Sequence, residues 1–178
     1  SVMDHTPGQR QFRDLEKYKT YIMGKRGIDE AAFQTLVDVS RKARDHCGAS
    51  NENAACAAAA RLGAVMASHD DRTVEHVENS PRRGMKLAEF PTTIEAARAC
   101  RERGVAIMMG APNLMRGGSH SGNVSALELA QQDLLDAISS DYVPAALLQS
   151  ALMLAQLWGD LPRAMRTVST NPASAAGL

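Results

Sequence analysis

Three residues suited to metal chemistry follow short apolar runs of the chain: His5, His69 and Asp141. His5 stands beside Asp4, and an imidazole beside an acceptor can bind a metal through one ring nitrogen while its other nitrogen is held. His69 precedes two aspartates, which add negative charge next to a nitrogen ligand. Asp141 follows two serines, and a carboxylate there can bind a metal and accept a proton from water. The three residues are therefore candidates for one divalent-metal site.

Each of these residues also has a purely structural interpretation. His5 can be a loop histidine bonded to the backbone, and Asp70 and Asp71 can cap a helix and complement its dipole. Asp141 can be the N-cap of a helix that begins near Pro144. Taken one at a time, the residues leave both interpretations open.

The segment 110–123 is the most unusual stretch, with four glycines, two serines, Arg116 and His120. Glycines let backbone N–H groups approach an anion, and a guanidinium binds phosphate oxygens in a fork. The segment matches neither a Walker A sequence nor GxGxxG, and a flexible surface loop is the alternative. We predict an anion site that includes Asn113, Arg116, Ser119 and His120. Glu89, at another strand end, is expected to contact the substrate or to support a metal ligand.

The elements that would position these residues alternate between strands and helices. Helical periodicity predicts helices over 11–24, 28–47 and 51–62, the last beginning at Asn51. Later helices are expected over 72–79, 125–132, 144–158 and 160–169, and residues 171–178 are expected to open a further one. Thr92 and Glu95 have capping-box spacing before a helix that Gly104 ends. Strands are predicted at 64–67, 85–90, 105–109 and 134–138, and residues 1–5 resemble the end of a fifth.

Short apolar strands without alternation indicate a parallel sheet covered by helices, and hence an α/β fold. An open doubly wound sheet and a (β/α)₈ barrel both fit that pattern. The polar residues at the carboxyl ends of the strands favour the barrel, whose catalytic face lies there. We expect residues 1–178 to be the C-terminal part of one barrel domain, holding about its last five strand–helix units.

Composition excludes several other classes of function. Lys+Arg and Asp+Glu both number 20 and aromatic residues make up 4%, so neither nucleic acid nor a membrane surface is an expected partner. The three widely spaced cysteines argue against a disulfide framework and favour reduced thiols in the cytoplasm. No apolar run approaches the length of a membrane span.

Five blocks of sequence, in order, are similar to one family. They are 3–12 (MDHTPGQRQF), 68–71 (SHDD), 89–93 (EFPTT), 110–123 (GAPN to SHSGN) and 139–142 (SSDY). The blocks resemble the phosphonate-metabolism diphosphatases of the carbon–phosphorus lyase pathway, which belong to the amidohydrolase superfamily. The resemblance implies a (β/α)₈ barrel that hydrolyses α-D-ribose 1-methylphosphonate 5-triphosphate to the 5-phosphate and pyrophosphate. It also implies divalent metal ions, zinc or manganese, with His5, His69 and Asp141 as ligands and Asp141 as general base.

The chain also departs from this family's pattern. Family members begin with a strand that carries a histidine-rich metal motif, and a later strand adds a carboxylate ligand; the sequence contains neither, and it lacks the small β-rich part. We therefore expect the chain alone to bind metal weakly and to be inactive. Exposed strand edges predict a homo-oligomer or a strand-exchanged dimer. Another amidohydrolase reaction (deamination or amide hydrolysis) and a non-catalytic assembly domain are the alternative functions.

Overall fold

A four-stranded parallel sheet organises the protein in a computed structural model that describes residues 1–11, 14–78, 80–118 and 122–178. The strands are β1 (Met66–His69), β2 (Met85–Glu89), β3 (Ala106–Gly110) and β4 (Ala137–Ser139), hydrogen-bonded in the order β1-β2-β3-β4. All three strand pairs are parallel. The fold is therefore α/β, and consecutive parallel strands are consistent with part of a (β/α)₈ barrel.

Helices precede the sheet and follow its strands. They are α1 (Leu15–Arg26), α2 (Glu30–Leu62), α3 (Val74–Glu78), α4 (Ile94–Glu102), α5 (Ala111–Arg116), α6 (Ala126–Gln131), α7 (Ala146–Trp158), α8 (Leu161–Arg166) and α9 (Thr170–Ala175), with a 3₁₀ turn at Pro81–Arg83. Several helix starts carry side-chain caps that satisfy free N–H groups, as Asp14 and Ser125 do for α1 and α6. Within the described ranges, no helix is long and apolar enough to cross a membrane.

The predicted fifth strand at residues 1–5 is reduced to one bridge. Val2 pairs in parallel with Ser68, and its backbone N–H donates to the carbonyl of Ala67 at 2.9 Å. This contact places the first residues beside β1, on the side of that strand away from β2. Strand β4 begins at residue 137 rather than 134. The N–H of Leu134 still donates to the carbonyl of Leu129 in α6 at 2.9 Å, and the side chain of Asp136 accepts from the Ile107 N–H at 2.8 Å.

Two predicted helices, 28–47 and 51–62, are one continuous helix of 33 residues, α2. The prediction that a helix begins at Asn51 is wrong. The N-cap is Asp29, whose side chain accepts from the N–H of Ala32, and Gly63 ends the helix in the left-handed conformation. The alanine-rich second half has high helix propensity, so the helix continues through Ser50 and Asn51.

Two local predictions around α4 and α5 need correction. The start of the segment predicted as a loop, 110–123, is helical, because Pro112 suits the first turn of α5 and Gly117 ends it with φ 74°. The cap of α4 is Thr93, whose hydroxyl accepts from Ala96 N–H at 3.1 Å, and not Thr92. Thr92 is buried, and its N–H donates to the carbonyl of Asp71 at 2.8 Å.

The buried apolar residues form two separate clusters. The larger, which we call the sheet core, joins the strands to the helices that cover them and includes Ala88, Cys100, Ile107, Leu129, Ile138 and Leu154. The smaller, the hairpin core, is formed by Tyr18, Ile22, Phe33 and Val37 between α1 and α2. The sheet core fixes the carboxyl ends of the strands, where the candidate site lies.

Candidate metal centre at the carboxyl edge of the sheet

Three side chains converge just beyond the end of β1: His5, His69 and Asp70. One potential ligand atom from each lies within 4.8 Å of the others. The Nε2 atoms of His5 and His69 are 3.3 and 3.5 Å from the same carboxylate oxygen, Oδ2 of Asp70. The structure thus brings together the two histidines predicted from the sequence, and it adds an aspartate that the sequence analysis had assigned only to capping and nearby charge.

His69 is oriented by Glu89 on the neighbouring strand. The two residues are paired in the β1–β2 register, and Nδ1 of His69 lies 3.0 Å from Oε2 of Glu89. A hydrogen bond from His69 lowers the pKa of the Glu89 carboxyl, which therefore acts as the charged acceptor. With the proton on Nδ1, the Nε2 lone pair of His69 is available to a metal. Glu89 supports the histidine rather than lining the cavity described below.

Asp70 is a buried carboxylate whose Oδ2 has no hydrogen bond of good geometry within the described part of the chain. Burial raises the pKa of its carboxyl, and the charges of His69 and His5 act in the opposite direction. A buried oxygen without a hydrogen bond is costly unless another group satisfies it. Two imidazole nitrogens facing that oxygen form a mixed N/O donor set that suits a divalent transition metal.

The backbone turns sharply where the strands end. Asp70, Phe90 and Asp141, which follow β1, β2 and β4, have φ values of 55°, 56° and 50°. Aspartate adopts this left-handed conformation with modest cost, but it is unusual for a bulky phenylalanine. Phe90 packs edge-on against the ring of His69, with centroids 5.2 Å apart. Strained residues of this kind concentrate at functional sites.

A cavity of about 280 Å³ opens over these residues. His5, His69 and Asp70 line it together with Asn113, Arg116 and Asp141. Asp141 lies on the cavity wall but outside the cluster of three ligands. Its carboxylate lies over Gly110, where an added Cβ would be 2.9 Å from Oδ2 of Asp141. The predicted metal residues His5, His69 and Asp141 therefore line one cavity, with Asp141 beside the end of β3.

The structure describes Asn113 and Arg116, two of the four residues predicted to form the anion site. Arg116 lies exposed at the end of α5, and Oδ1 of Asn113 accepts from the N–H of Ala126 at 2.9 Å. Ser119 and His120 lie outside the described residues. The cavity is also lined by Gln11 and Asn123, which belong to the blocks 3–12 and 110–123 but are not among the predicted site residues. Asn123 donates from Nδ2 to the Gln11 carbonyl at 3.2 Å, a contact between distant segments that spacing alone does not reveal.

The fold and the cluster define an α/β protein with its candidate site at the carboxyl edge of a parallel sheet. Over its whole length, the chain is 46% identical to part of the alpha-D-ribose 1-methylphosphonate 5-triphosphate diphosphatase of Escherichia coli K12. The match confirms the family resemblance found in the sequence. The chain spans about half the length of that relative, 48% of it. No family model matches the chain. No solved structure matches it significantly.

Proposed function

We propose that this chain supplies one half of a metal-dependent diphosphatase. The reaction is hydrolysis of α-D-ribose 1-methylphosphonate 5-triphosphate to the 5-phosphate and pyrophosphate. The observation that carries the proposal is that the match at 46% identity spans the whole chain, including the segments that form the His5, His69 and Asp70 cluster. A phosphorylated ribose phosphonate then binds in the cavity as the substrate. We place the enzyme in the cytoplasm.

The residues present fit a divalent cation such as zinc or manganese. His5 and His69 would supply nitrogen ligands, Asp70 would supply an oxygen, and Asp141, which lines the same cavity, would complete the set. Such an ion lowers the pKa of water and offsets negative charge on a phosphoryl group. The buried Oδ2 of Asp70 would gain the partner that it lacks among the described residues.

The remaining residues would hold the proton and the substrate. Asp141 is exposed at the cavity and can accept the proton from the attacking water, the role of a general base. Arg116 can hold the phosphate oxygens in a bidentate fork. We assign Ser119 and His120 to the same anion site on the sequence alone.

The proposed architecture is a (β/α)₈ barrel completed by strands from outside this chain. The first residues and β1 to β4 would form five consecutive strands, with β4 and the Val2 segment at the two open edges. Open edges pair with other strands, which also supports the predicted oligomer or strand exchange. Completion by the relative's other half would bring in the missing ligands.

A chimera tests the proposed function directly. The chain would replace the matching half of the Escherichia coli relative, and ³¹P NMR would follow release of pyrophosphate from the triphosphate substrate. We expect turnover by the chimera and a loss on the order of 100-fold for its His69→Asn variant, because a metal ligand is removed.

His46→Asn is the matched control, because His46 is exposed on α2 and lies outside the cluster. It should leave turnover unchanged. A folded chimera that releases no pyrophosphate would contradict the proposal, as would full activity of the His69→Asn variant.

A further inference from the structure

Arg10 joins the two segments that carry the candidate metal ligands. Its Nη1 donates to the backbone carbonyl of His69 at 3.0 Å and to Oδ1 of Asp71 at 2.8 Å. Arg10 lies five residues after His5, whereas Asp71 directly follows Asp70. One guanidinium therefore connects the His5 segment to the end of β1, across about 60 residues of sequence.

Asp71 faces away from the cluster although it is next to Asp70 in the chain. Its side chain is 1% exposed, and its two oxygens accept from Arg10 and from the Ser68 hydroxyl. Burial raises the pKa of the Asp71 carboxyl, while the Ser68 hydroxyl and the Arg10 guanidinium act in the opposite direction. Both oxygens of Asp71 are bonded within the fold, so Asp71 serves as an anchor for Arg10.

Among the described residues, other contacts also restrain the first residues. Val2 forms one backbone bridge to β1, and Nε of Arg44 on α2 donates to Oδ2 of Asp4 at 2.7 Å. The side chain of His5 is 50% exposed, and its ring lies 5.3 Å from that of His69. Arg44 holds Asp4 to α2, whereas Arg10 bonds the segment to the end of β1, so Arg10 contributes to the position of His5 relative to His69 and Asp70.

We propose that Arg10 is a positioning residue that sets the metal affinity of the His5, His69 and Asp70 cluster. By bonding the carbonyl of His69 and the side chain of Asp71, it fixes the backbone on both sides of Asp70 and holds His5 within reach. Groups that orient metal ligands in this way strongly affect affinity. The inference rests on the metal site proposed above.

The test is metal binding by the 178-residue chain. Zn²⁺ affinity would be measured by calorimetry, and the visible absorption of bound Co²⁺ would report the geometry of its ligands. We expect Arg10→Ala to weaken Zn²⁺ binding about 10- to 100-fold and to alter the Co²⁺ spectrum. Arg10→Lys, which keeps one charged donor, should recover part of the affinity.

Arg101→Ala is the matched control. Arg101 also bonds one carboxylate and one carbonyl, Oδ1 of Asp136 at 2.9 Å and the Asp133 backbone at 3.0 Å, at the opposite end of the sheet. Its removal should lower the melting temperature but leave Zn²⁺ affinity and the Co²⁺ spectrum unchanged.

The possible outcomes separate this inference from the function proposed above. Equal Zn²⁺ affinity for the wild type and Arg10→Ala would overturn the role of Arg10 alone. If Arg10→Ala does not fold, Arg10→Lys decides. Wild-type Zn²⁺ affinity together with an unaltered Co²⁺ spectrum in Arg10→Lys would then also overturn the role of Arg10. If the wild-type chain binds neither Zn²⁺ nor Co²⁺, or if His69→Asn binds them as well as the wild type does, the metal site and this inference are overturned together.

Discussion

At the level of single residues, the surroundings of a side chain decide its role more than its type does. Asp70 and Asp71 are chemically identical neighbours, yet Asp70 faces two imidazoles while Asp71 bonds Ser68 and Arg10. The direction of each side chain follows from the left-handed turn at Asp70, with φ 55°. The two aspartates can therefore serve one site in different ways, one toward a cation and one toward the scaffold.

Gly110→Ala tests how closely Asp141 depends on the end of β3. The added methyl would lie 2.9 Å from Oδ2 of Asp141, so the carboxylate must move, while the backbone at Gly110 (φ −80°) accepts alanine. We expect a cost of at most about 1 kcal/mol in the free energy of unfolding, because alanine is a poor N-cap. Turnover by the chimera should fall about 10-fold or more, because a displaced catalytic group loses rate steeply.

Gly24→Ala is the control for this prediction, because Gly24 lies on α1 outside the candidate site. No atom of the described residues lies within 4 Å of the Cβ that it would add, and the backbone there is not left-handed. Pyrophosphate release and urea denaturation would be measured for both variants. Equal turnover by Gly110→Ala and Gly24→Ala would show that the placement of Asp141 over Gly110 is unimportant.

The candidate site also shows what a sequence reveals about residues. Histidines and carboxylates after apolar runs are visible because parallel strands bring their carboxyl ends to one edge. His5 and His69 were found in this way. The bonds from Arg10 to Asp71 and from His69 to Glu89 join residues 61 and 20 positions apart. The His69–Glu89 pair depends on strand register, and the choice of Asp70 rather than Asp71 depends on the left-handed turn after β1. No local pattern encodes either feature, so the third member of the cluster could not be predicted.

At the level of elements, the strands were predictable and several helix ends were not. A strand buried on both faces needs a continuous apolar run, and β2 and β3 lie within one residue of the predicted bounds. Helix α5 was missed because Gly110, Gly117 and Gly118 give the segment the composition of a loop. Six residues between Gly110 and Gly117 are enough for a short helix, but too few to show a period.

Thr93→Ala should weaken the attachment of α4 to the segment that follows β1. The Thr93 hydroxyl accepts from the Ala96 N–H at 3.1 Å and donates to the Arg72 carbonyl at 2.7 Å, so it both caps α4 and holds the segment after β1. Loss of the cap and of one further hydrogen bond should lower the free energy of unfolding by about 1–2 kcal/mol. Urea denaturation monitored by circular dichroism would measure the change.

Thr93→Ser is the matched control, since serine keeps the hydroxyl and caps helices equally well. It should cost less than about 0.5 kcal/mol, the range of ordinary surface changes. If alanine and serine at position 93 proved equally stable, the hydroxyl would have no part in holding α4 to the end of β1.

At the level of the whole molecule, the sheet core and the hairpin core are separate apolar clusters. The hairpin core has four buried residues, and the sheet core has many more from strands and helices. When contacts are distributed in this way, the free energy of local unfolding differs between parts of one chain, and the smaller cluster opens first. The candidate site lies over the sheet core, although the α1–α2 hairpin follows directly from the His5 segment.

Cysteine labelling tests whether the two cores unfold separately. Cys100 belongs to the sheet core, and burial raises the pKa of its thiol to about 12, above the ordinary 9.0. Because thiolate is the reactive form, the folded chain should protect Cys100 at about pH 8, whereas the half-buried Cys47 and Cys56 react. Because folding raises the pKa of this thiol, its deprotonation above pH 9 stabilises the unfolded chain. The free energy of unfolding should therefore fall as pH rises from 9 towards 12.

Two core variants then locate the unfolding that exposes Cys100. Phe33→Ala and Leu129→Ala each remove a large buried side chain, at a cost of about 2–5 kcal/mol, from the hairpin core and the sheet core respectively. Separate cores predict that Leu129→Ala accelerates the labelling of Cys100, while Phe33→Ala leaves it slow. Equal acceleration by both variants would mean that the chain unfolds as one cooperative unit. In that case, loosening the hairpin would also release the strand ends that hold His69 and Asp70.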